Sequence, residues 1–389
     1  MRAAVCYLSA YQHLPAKRLA EAMDSLFGLP LSTGTVLSVL ARAHDGLAGF
    51  EEQVKEHLTA APVAHADESG VRVAGKLHWL HVMCTHLVTF YGIHTQRGRI
   101  AMNDLGVLPA FTGTLVTDAL ASYTVYGNSK ALCGAHVLRE LIAVTEDTRH
   151  DPTWATTMIQ VLIEAKTAVA DAVAAGQDAL AADVLAGFQD RYRHAALCGI
   201  AANPYSGTGP RAKARALAER LHDRTEEYQR YMTDFSVPFE NNQAERDLRM
   251  IKTQQKVSGS WRTPTGARRF ARIRSYISTV RKHGVNPLTA LRDLFTDGHG
   301  CCPQPAETPK QLRFAPPFAG LSTLGFDAGR FPRRRQSATG PPGSYPDRTS
   351  TGRRQRAYDS RSTTTRRPPS LLGARKIEAN RNEARTRQL

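Results

Sequence analysis

Three acids far apart in the chain, Asp67, Asp118 and Glu245, stand where chemistry on phosphates would need them. Asp67 closes the strand-like segment Pro62 to Asp67, and Asp118 closes the apolar run Gly113-Thr114-Leu115-Val116-Thr117-Asp118. Glu245 lies on a helical stretch that starts at Pro238, offers Asn241 and Asn242 as caps, and sets Ala244, Leu248 and Ile251 on a dry side. Two Asp at the ends of adjacent strands plus a Glu on a later helix supply the hard oxygen ligands of a two-metal phosphoryl-transfer site. The ions there are Mg²⁺, with Mn²⁺ as the substitute, about 4 Å apart. Singly, Asp67 reads as a strand-end turn residue, Asp118 as a cap on the next segment and Glu245 as a solvated helix acid; their order of strand, strand and helix carries the site. Side chains alternate along a strand, so His65 and Asp67 share a face and Glu68 points to the other, leaving one acid of that pair for an interior site. Glu245 and Lys252 are seven residues apart, nearly two helical turns, and point the same way.

The elements that must position these groups follow in order. Residues 4 to 60 read as helices, with Leu19, Met23 and Phe27 on one and Leu37, Val39, Leu40 and Leu47 on the next, joined through Gly28-Leu29-Pro30 with Ser32 as a cap. This pair is either a helix-turn-helix or an ordinary helical hairpin. Pro62 to Asp67, Leu77 to Cys84 and Leu87 to His94 read as a three-stranded antiparallel meander. A short helix around Gly98 to Leu105, the strand ending at Asp118, a strand near Ala131 and a helix from about His136 to Val144 come next. Residues 153 to 234 are rich in Ala, Leu, Glu and Arg and read as about three helices broken near Asn203 to Pro210. After the helix of Glu245 come a basic connector, a helix from Thr265 to His283 and a short one from Asn286 to Phe295.

At 389 residues the chain has room for more than one domain, and a hydrophobic content of 42% supports a folded core. Of the net charge of +16, residues 301 to 389 carry 18 Lys+Arg against 6 Asp+Glu, so the basic excess sits mainly in a Pro-, Gly-, Ser- and Arg-rich tail expected to be disordered. Such charge favours a polyanionic partner, nucleic acid first. The six scattered cysteines fit a reducing, cytoplasmic compartment, and no apolar run approaches the roughly 20 residues that cross a bilayer. Arg246, Arg249, Lys252, Lys256, Arg262, Arg268, Arg269, Arg272, Arg274, Arg281 and Lys282 crowd the segment after Glu245 against Asp247 alone. Phe270, Ile273 and Ile277 recur at core spacing there, so the basic residues on the remaining faces fit phosphate contacts, and Trp261 in Gly259-Ser260-Trp261-Arg262 fits stacking on an unpaired base.

Several long blocks resemble one family, the bacterial DDE transposases of the insertion-sequence 66 family. They are Ala64-His65-Ala66-Asp67-Glu68-Ser69-Gly70, Lys76-Leu77-His78-Trp79-Leu80, Leu115-Val116-Thr117-Asp118, Leu132-Cys133-Gly134-Ala135-His136-Val137-Leu138-Arg139-Glu140-Leu141, Pro238 through Arg249, and Phe270 through Thr279, spread over roughly residues 4 to 297. The resemblance implies an α/β protein: a ribonuclease H-like catalytic domain interrupted by an all-α insertion, with N-terminal helices and a disordered basic C-terminal tail. On this sequence that division reads 1–60, 61–150, 151–236, 237–298 and 299–389. The acidic triad of the family falls on Asp67, Asp118 and Glu245. Glu240 competes for the third place, but the basic residue that many such enzymes carry seven positions on is Lys252 counted from Glu245 and Asp247 counted from Glu240. Cys133 and His136 resemble a Cys-x-x-His element that follows the second Asp in several such transposases. Two ligands fall short of the four of a zinc site, which leaves a structural or DNA-positioning role beside a plain packed Cys and hydrogen-bonded His.

The implied activity is hydrolysis of a phosphodiester at the element end, followed by attack of the freed 3′ hydroxyl on target DNA. The implied partners are DNA, a second copy of the chain in the active complex and accessory element-encoded proteins, in a nucleoid-associated setting. The chain begins inside the family pattern and its tail departs from the family ending, which favours a truncated gene. An inactive remnant that only binds DNA non-specifically is therefore the alternative. A small-substrate hydrolase built on His65 and Asp67 lacks a Gly-rich loop, a His-Glu-x-x-His helix and a nucleophile elbow.

Overall fold

The sheet is mixed rather than a bare meander. The computed structural model describes residues 1–147, 151–204, 207–297 and 300. At the start, α1 (Arg2–Cys6) runs through a π-turn into α2 (Ala16–Phe27), α3 (Thr33–Gly46) and α4 (Ala48–Thr59). Ser32 caps α3 as expected, its hydroxyl accepting the Thr35 N–H at 3.0 Å. Leu19, Met23, Val39 and Leu47 enter the core, whereas Phe27, the last residue of α2, is exposed, and so is Leu37, because the buried stripe of α3 runs through Val36, Val39 and Ala43.

Three antiparallel strands follow, β1 (Val63–Val73), β2 (Lys76–Cys84) and β3 (Thr89–His94). Ala74 and Gly75, both at positive φ (50° and 76°), make the tight turn from β1 to β2. After α5 (Arg99–Leu105) come β4 (Thr114–Thr117) and β5 (Ser129–Leu132), which add in parallel to give the order β3-β2-β1-β4-β5. β1 is longer than its composition suggests. It continues through the polar residues Asp67 to Gly70 because β2 pairs with it from His65 to Val73, so Asp67 sits mid-strand and not at a strand end.

Helix α6 (Gly134–Thr145) leads to four helices where about three are expected, α7 (Thr153–Ala174), α8 (Ala182–Ala202), α9 (Pro210–Asp223) and α10 (Thr225–Thr233). With α6 they share a core around Trp154, Met158, Leu162, Tyr192 and Leu221. The chain then returns through α11 (Asn242–Ser258), α12 (Pro264–Lys282) and α13 (Pro287–Asp297). α11 lies on β1 and α12 on β3, with Phe270, Ile273 and Ile277 buried as their spacing predicts. No helix among the described residues is long and apolar enough to cross a membrane. The tail expected to be disordered, 299–389, lies outside the described residues apart from Gly300.

Candidate active site

Parallel pairing of β1 with β4 runs from Val63 opposite Thr114 to His65 opposite Val116 and then stops. Carried on by two residues, the same register sets Asp67 level with Asp118, so both acids project where the two strands part. Asp118 follows the last residue of β4, and its Oδ1 accepts the Leu120 N–H at 3.0 Å. Glu245 occupies the first turn of α11, where a carboxylate is favoured by the helix dipole. Burial pushes the Asp67 carboxyl up to about 7, and the nearby charges of Glu68, Asp118 and Glu245 push in the same direction, against a 2.7 Å bond from the Glu68 N–H. The charges of Asp118 and Glu245 therefore reach Asp67 through space.

What aims α11 is Asn241. It stands at the N-cap position, yet its side chain makes no cap hydrogen bond. Fully buried, it accepts from His65 Nδ1 at 2.9 Å and donates to the Ala66 carbonyl at 2.9 Å, while its own N–H points at Cys133 Sγ at 3.2 Å. Asn242 is the first residue of the helix and bonds the Glu240 carboxylate. Neither Asn is a side-chain cap, because both amides have partners off the helix end. On the far side of α11, Asp247 takes Thr89 Oγ1 and Lys282 Nζ, each at 2.9 Å, fixing the helix to β3 and α12. Glu240 is occupied elsewhere, by Lys166 of α7 at 2.6 Å.

Glu68, on the opposite face of β1, is buried with Arg97 Nε at 2.7 Å and the Tyr123 hydroxyl. Burial raises its carboxyl, while Tyr123 and Arg97 oppose the shift. The strand alternation of the sequence separates Glu68 from Asp67; nothing in the sequence pairs it with Arg97. Burial also lowers His65 to about 4, so it is a neutral buried histidine engaged with Asn241 and not a free base beside Asp67.

Arg249, Lys252 and Lys256 stand four, seven and eleven residues after Glu245, along one stripe of α11. They are exposed, as are Arg246 and Arg262, and none of the five has an acidic partner among the described residues. Three basic residues of α12 behave differently. Arg272 forks onto Glu51 at 2.8 and 3.1 Å and donates to the His44 carbonyl, Lys282 holds Asp247, and Arg274 is buried. Trp261 bonds as a strand residue, its N–H to the Arg72 carbonyl at 3.1 Å and its carbonyl from the Ala74 N–H at 2.8 Å, with its ring 5.0 Å from Phe270. Both Arg272 and Trp261 are thus engaged inside the fold, whereas Arg262 of the connector and Arg268 and Arg281 of α12 stay exposed with the stripe of α11.

Cys133 and His136 come to Glu245 because the corner before α6 docks on the loop before α11. The Gly134 N–H donates to the Phe239 carbonyl at 2.8 Å, and a Cβ at Gly134 would overlap the Phe239 ring. One ligand atom from each of Cys133, His136 and Glu245 then lies within 4.8 Å of the others. The largely exposed Arg139 of α6 reaches the rim of this cluster, its Nη2 3.7 Å from Glu245 Oε1.

No curated protein matches the chain. The family model described as "Transposase IS66 family" matches residues 1–269, which takes in β1, β4, α6 and α11 with the three acids and ends before the block Phe270 to Thr279. A match over more than two thirds of the chain, containing the strands and helix that carry the site, places it: the protein belongs to the IS66 transposase family.

Proposed function

We propose that this chain is the catalytic region of a DDE transposase, built on a ribonuclease H-like sheet, that cuts a phosphodiester at an element end and joins the freed 3′ hydroxyl to target DNA. The carrying observation is that Asp67 of β1 lies level with Asp118 at the end of β4, and that burial first, with the charges of Glu68, Asp118 and Glu245 of the first turn of α11 adding to it, raises Asp67 to about 7. A carboxyl raised by burial, and further by neighbouring acids, is one that a cation would let ionise, and a set of carboxylate oxygens fits Mg²⁺. The three acids would hold the ions, which supply charge neutralisation and a lowered pKa for the attacking water or hydroxyl.

The protein's own residues orient the reactants. The His65–Asn241 pair holds the Glu245 turn against the Asp67 strand, and Arg249, Lys252 and Lys256 continue from Glu245 as a row of phosphate contacts. Glu240 is left out as third acid because Lys166 neutralises it, and Glu68 because it faces Arg97. The strand order, three antiparallel strands followed by two parallel ones, supports the ribonuclease H-like reading, and the separate core of α7 to α10 supports an inserted helical unit. DNA, as element end and target, is the substrate, and the active complex contains more than one copy of the chain.

The test is nicking and strand transfer on element-end DNA with Mg²⁺ or Mn²⁺. Activity in the unaltered chain and its loss in Asp118→Asn support the reading. Unchanged cleavage in that variant, or salt-sensitive DNA binding with no cleavage under either metal, overturns it.

A further inference from the structure

We propose that Cys133, His136 and Glu245 form a second metal site, sharing Glu245 with the carboxylate set, for a thiophilic divalent ion of the zinc class. The three ligand atoms already lie within 4.8 Å of one another. His136 Nδ1 and Glu245 Oε1 are 3.5 Å apart, both shielded from solvent, and neither has a hydrogen-bond partner. Adjacent ligands on a tetrahedral zinc are separated by about 3.3–3.6 Å, given metal–ligand bonds of about 2.0–2.3 Å. The pair is thus set at a ligand spacing and not at a hydrogen-bond spacing.

The third corner is prepared in the same way. Cys133 is buried at the β5–α6 corner, and its Sγ is held there by the Asn241 N–H at 3.2 Å. Thiolate, imidazole and one carboxylate suit zinc and exclude Mg²⁺, and three protein ligands leave the fourth position to solvent. The site needs no rearrangement of backbone, because Gly134 and Asn241 already lock α6 to the start of α11. Glu245 belongs to both sets. A zinc ion would therefore draw it away from Asp67 and Asp118 and slow Mg²⁺-dependent nicking, a consequence that rests on the proposed function.

The experiment is a Co²⁺ titration of the full chain carrying Cys198→Ser, Cys301→Ser and Cys302→Ser. The first substitution is needed because Cys198 and His194 make a rival pair at 3.5 Å on α8. A sulfur-to-cobalt absorption band is expected, absent in added Cys133→Ser, about ten-fold or more weaker in affinity in His136→Ala and in Glu245→Gln, and unchanged in Asp67→Asn. No band in the starting chain, a band that survives Cys133→Ser, or full affinity in both His136→Ala and Glu245→Gln overturns the site. If Cys133→Ser fails to fold by circular dichroism, the other two variants decide. Absence of Mg²⁺-dependent nicking beside an intact cobalt band sinks the catalytic reading and leaves this site standing.

Discussion

His65 and Asn241, 176 residues apart in the chain, meet with Nδ1 2.9 Å from Oδ1. The Asn241 amide nitrogen is committed to the Ala66 carbonyl, so its oxygen accepts and His65 carries its proton on Nδ1. Through this contact the helix of the third acid is attached to the strand of the first. Asn241→Ala strands a buried N–H and a buried carbonyl, each costing about 1–3 kcal/mol. We expect urea denaturation to register that loss, and nicking to fall further than stability explains, because the Glu245 turn is freed. A variant with full nicking would show that the contact does not aim the site.

The raised Asp67 carboxyl ties stability to pH. In the metal-free protein the folded state binds its proton more tightly than the unfolded chain, so between about 4 and about 7 the stability contributed by this group falls as pH rises. His65, His81 and His13, each lowered to about 4 with burial as the largest cause, act in the opposite direction, since folding resists their protonation. The readout is therefore a difference: Asp67→Asn should gain stability over the unaltered chain from pH 5 to pH 8 in a chelator. The gain is at most a few kcal/mol, since each tenfold change in proton affinity is worth about 1.4 kcal/mol. Mg²⁺ should stabilise the unaltered chain more at pH 8 than at pH 5. A pH-independent difference between the two proteins would remove Asp67 from a shared acidic site.

Lys252 and Arg272 are both basic residues of the segment after Glu245, but the fold gives them different partners. Lys252 is exposed on the Glu245 stripe, and Arg272 is bound to Glu51. Lys252→Ala should weaken DNA binding and reduce the slope of log affinity against log salt by about 0.9. Arg272→Ala should leave that slope intact and lower the thermal midpoint, because Glu51 and the His44 carbonyl lose their donor. Equal salt slopes in the two variants would refute the division.

On the other face of β1, Arg97 is nearly half exposed, whereas the side chain of its partner Glu68 is almost fully buried, 45% against 1%. Removing Arg97 abandons a carboxylate in the core; replacing Glu68 by Gln leaves an arginine that water can reach. Chemical denaturation near neutral pH should therefore show Arg97→Ala costing more than Glu68→Gln, by about 1–3 kcal/mol. The reverse order would mean that Tyr123 alone satisfies Glu68.

Local chemistry in the sequence determined the acids, the Ser32 cap, the core stripe of α12 and the strand alternation that parts Asp67 from Glu68. Each is set by residues within a turn or two of one another. The parallel addition of β4 and β5, which sets Asp67 level with Asp118, is a pairing across some fifty residues and leaves no local trace. The length of β1 was hidden for the same reason, since its polar half is held as strand by β2. Asn241 has a cap's sequence context, and tertiary contact gave its amide to His65 and Ala66 instead. Glu240 and Glu245 differ in the sequence only by what stands seven residues on. In the fold Glu240, in the loop before α11, meets Lys166, whereas Glu245, in the first turn of α11, meets His136 and Arg139 and adds its charge to the rise of Asp67. The basic run after Glu245 likewise reads as one surface. Packing divided it, turning Arg272, Arg274 and Lys282 inward and leaving Arg249, Lys252 and Lys256 exposed beside the acids.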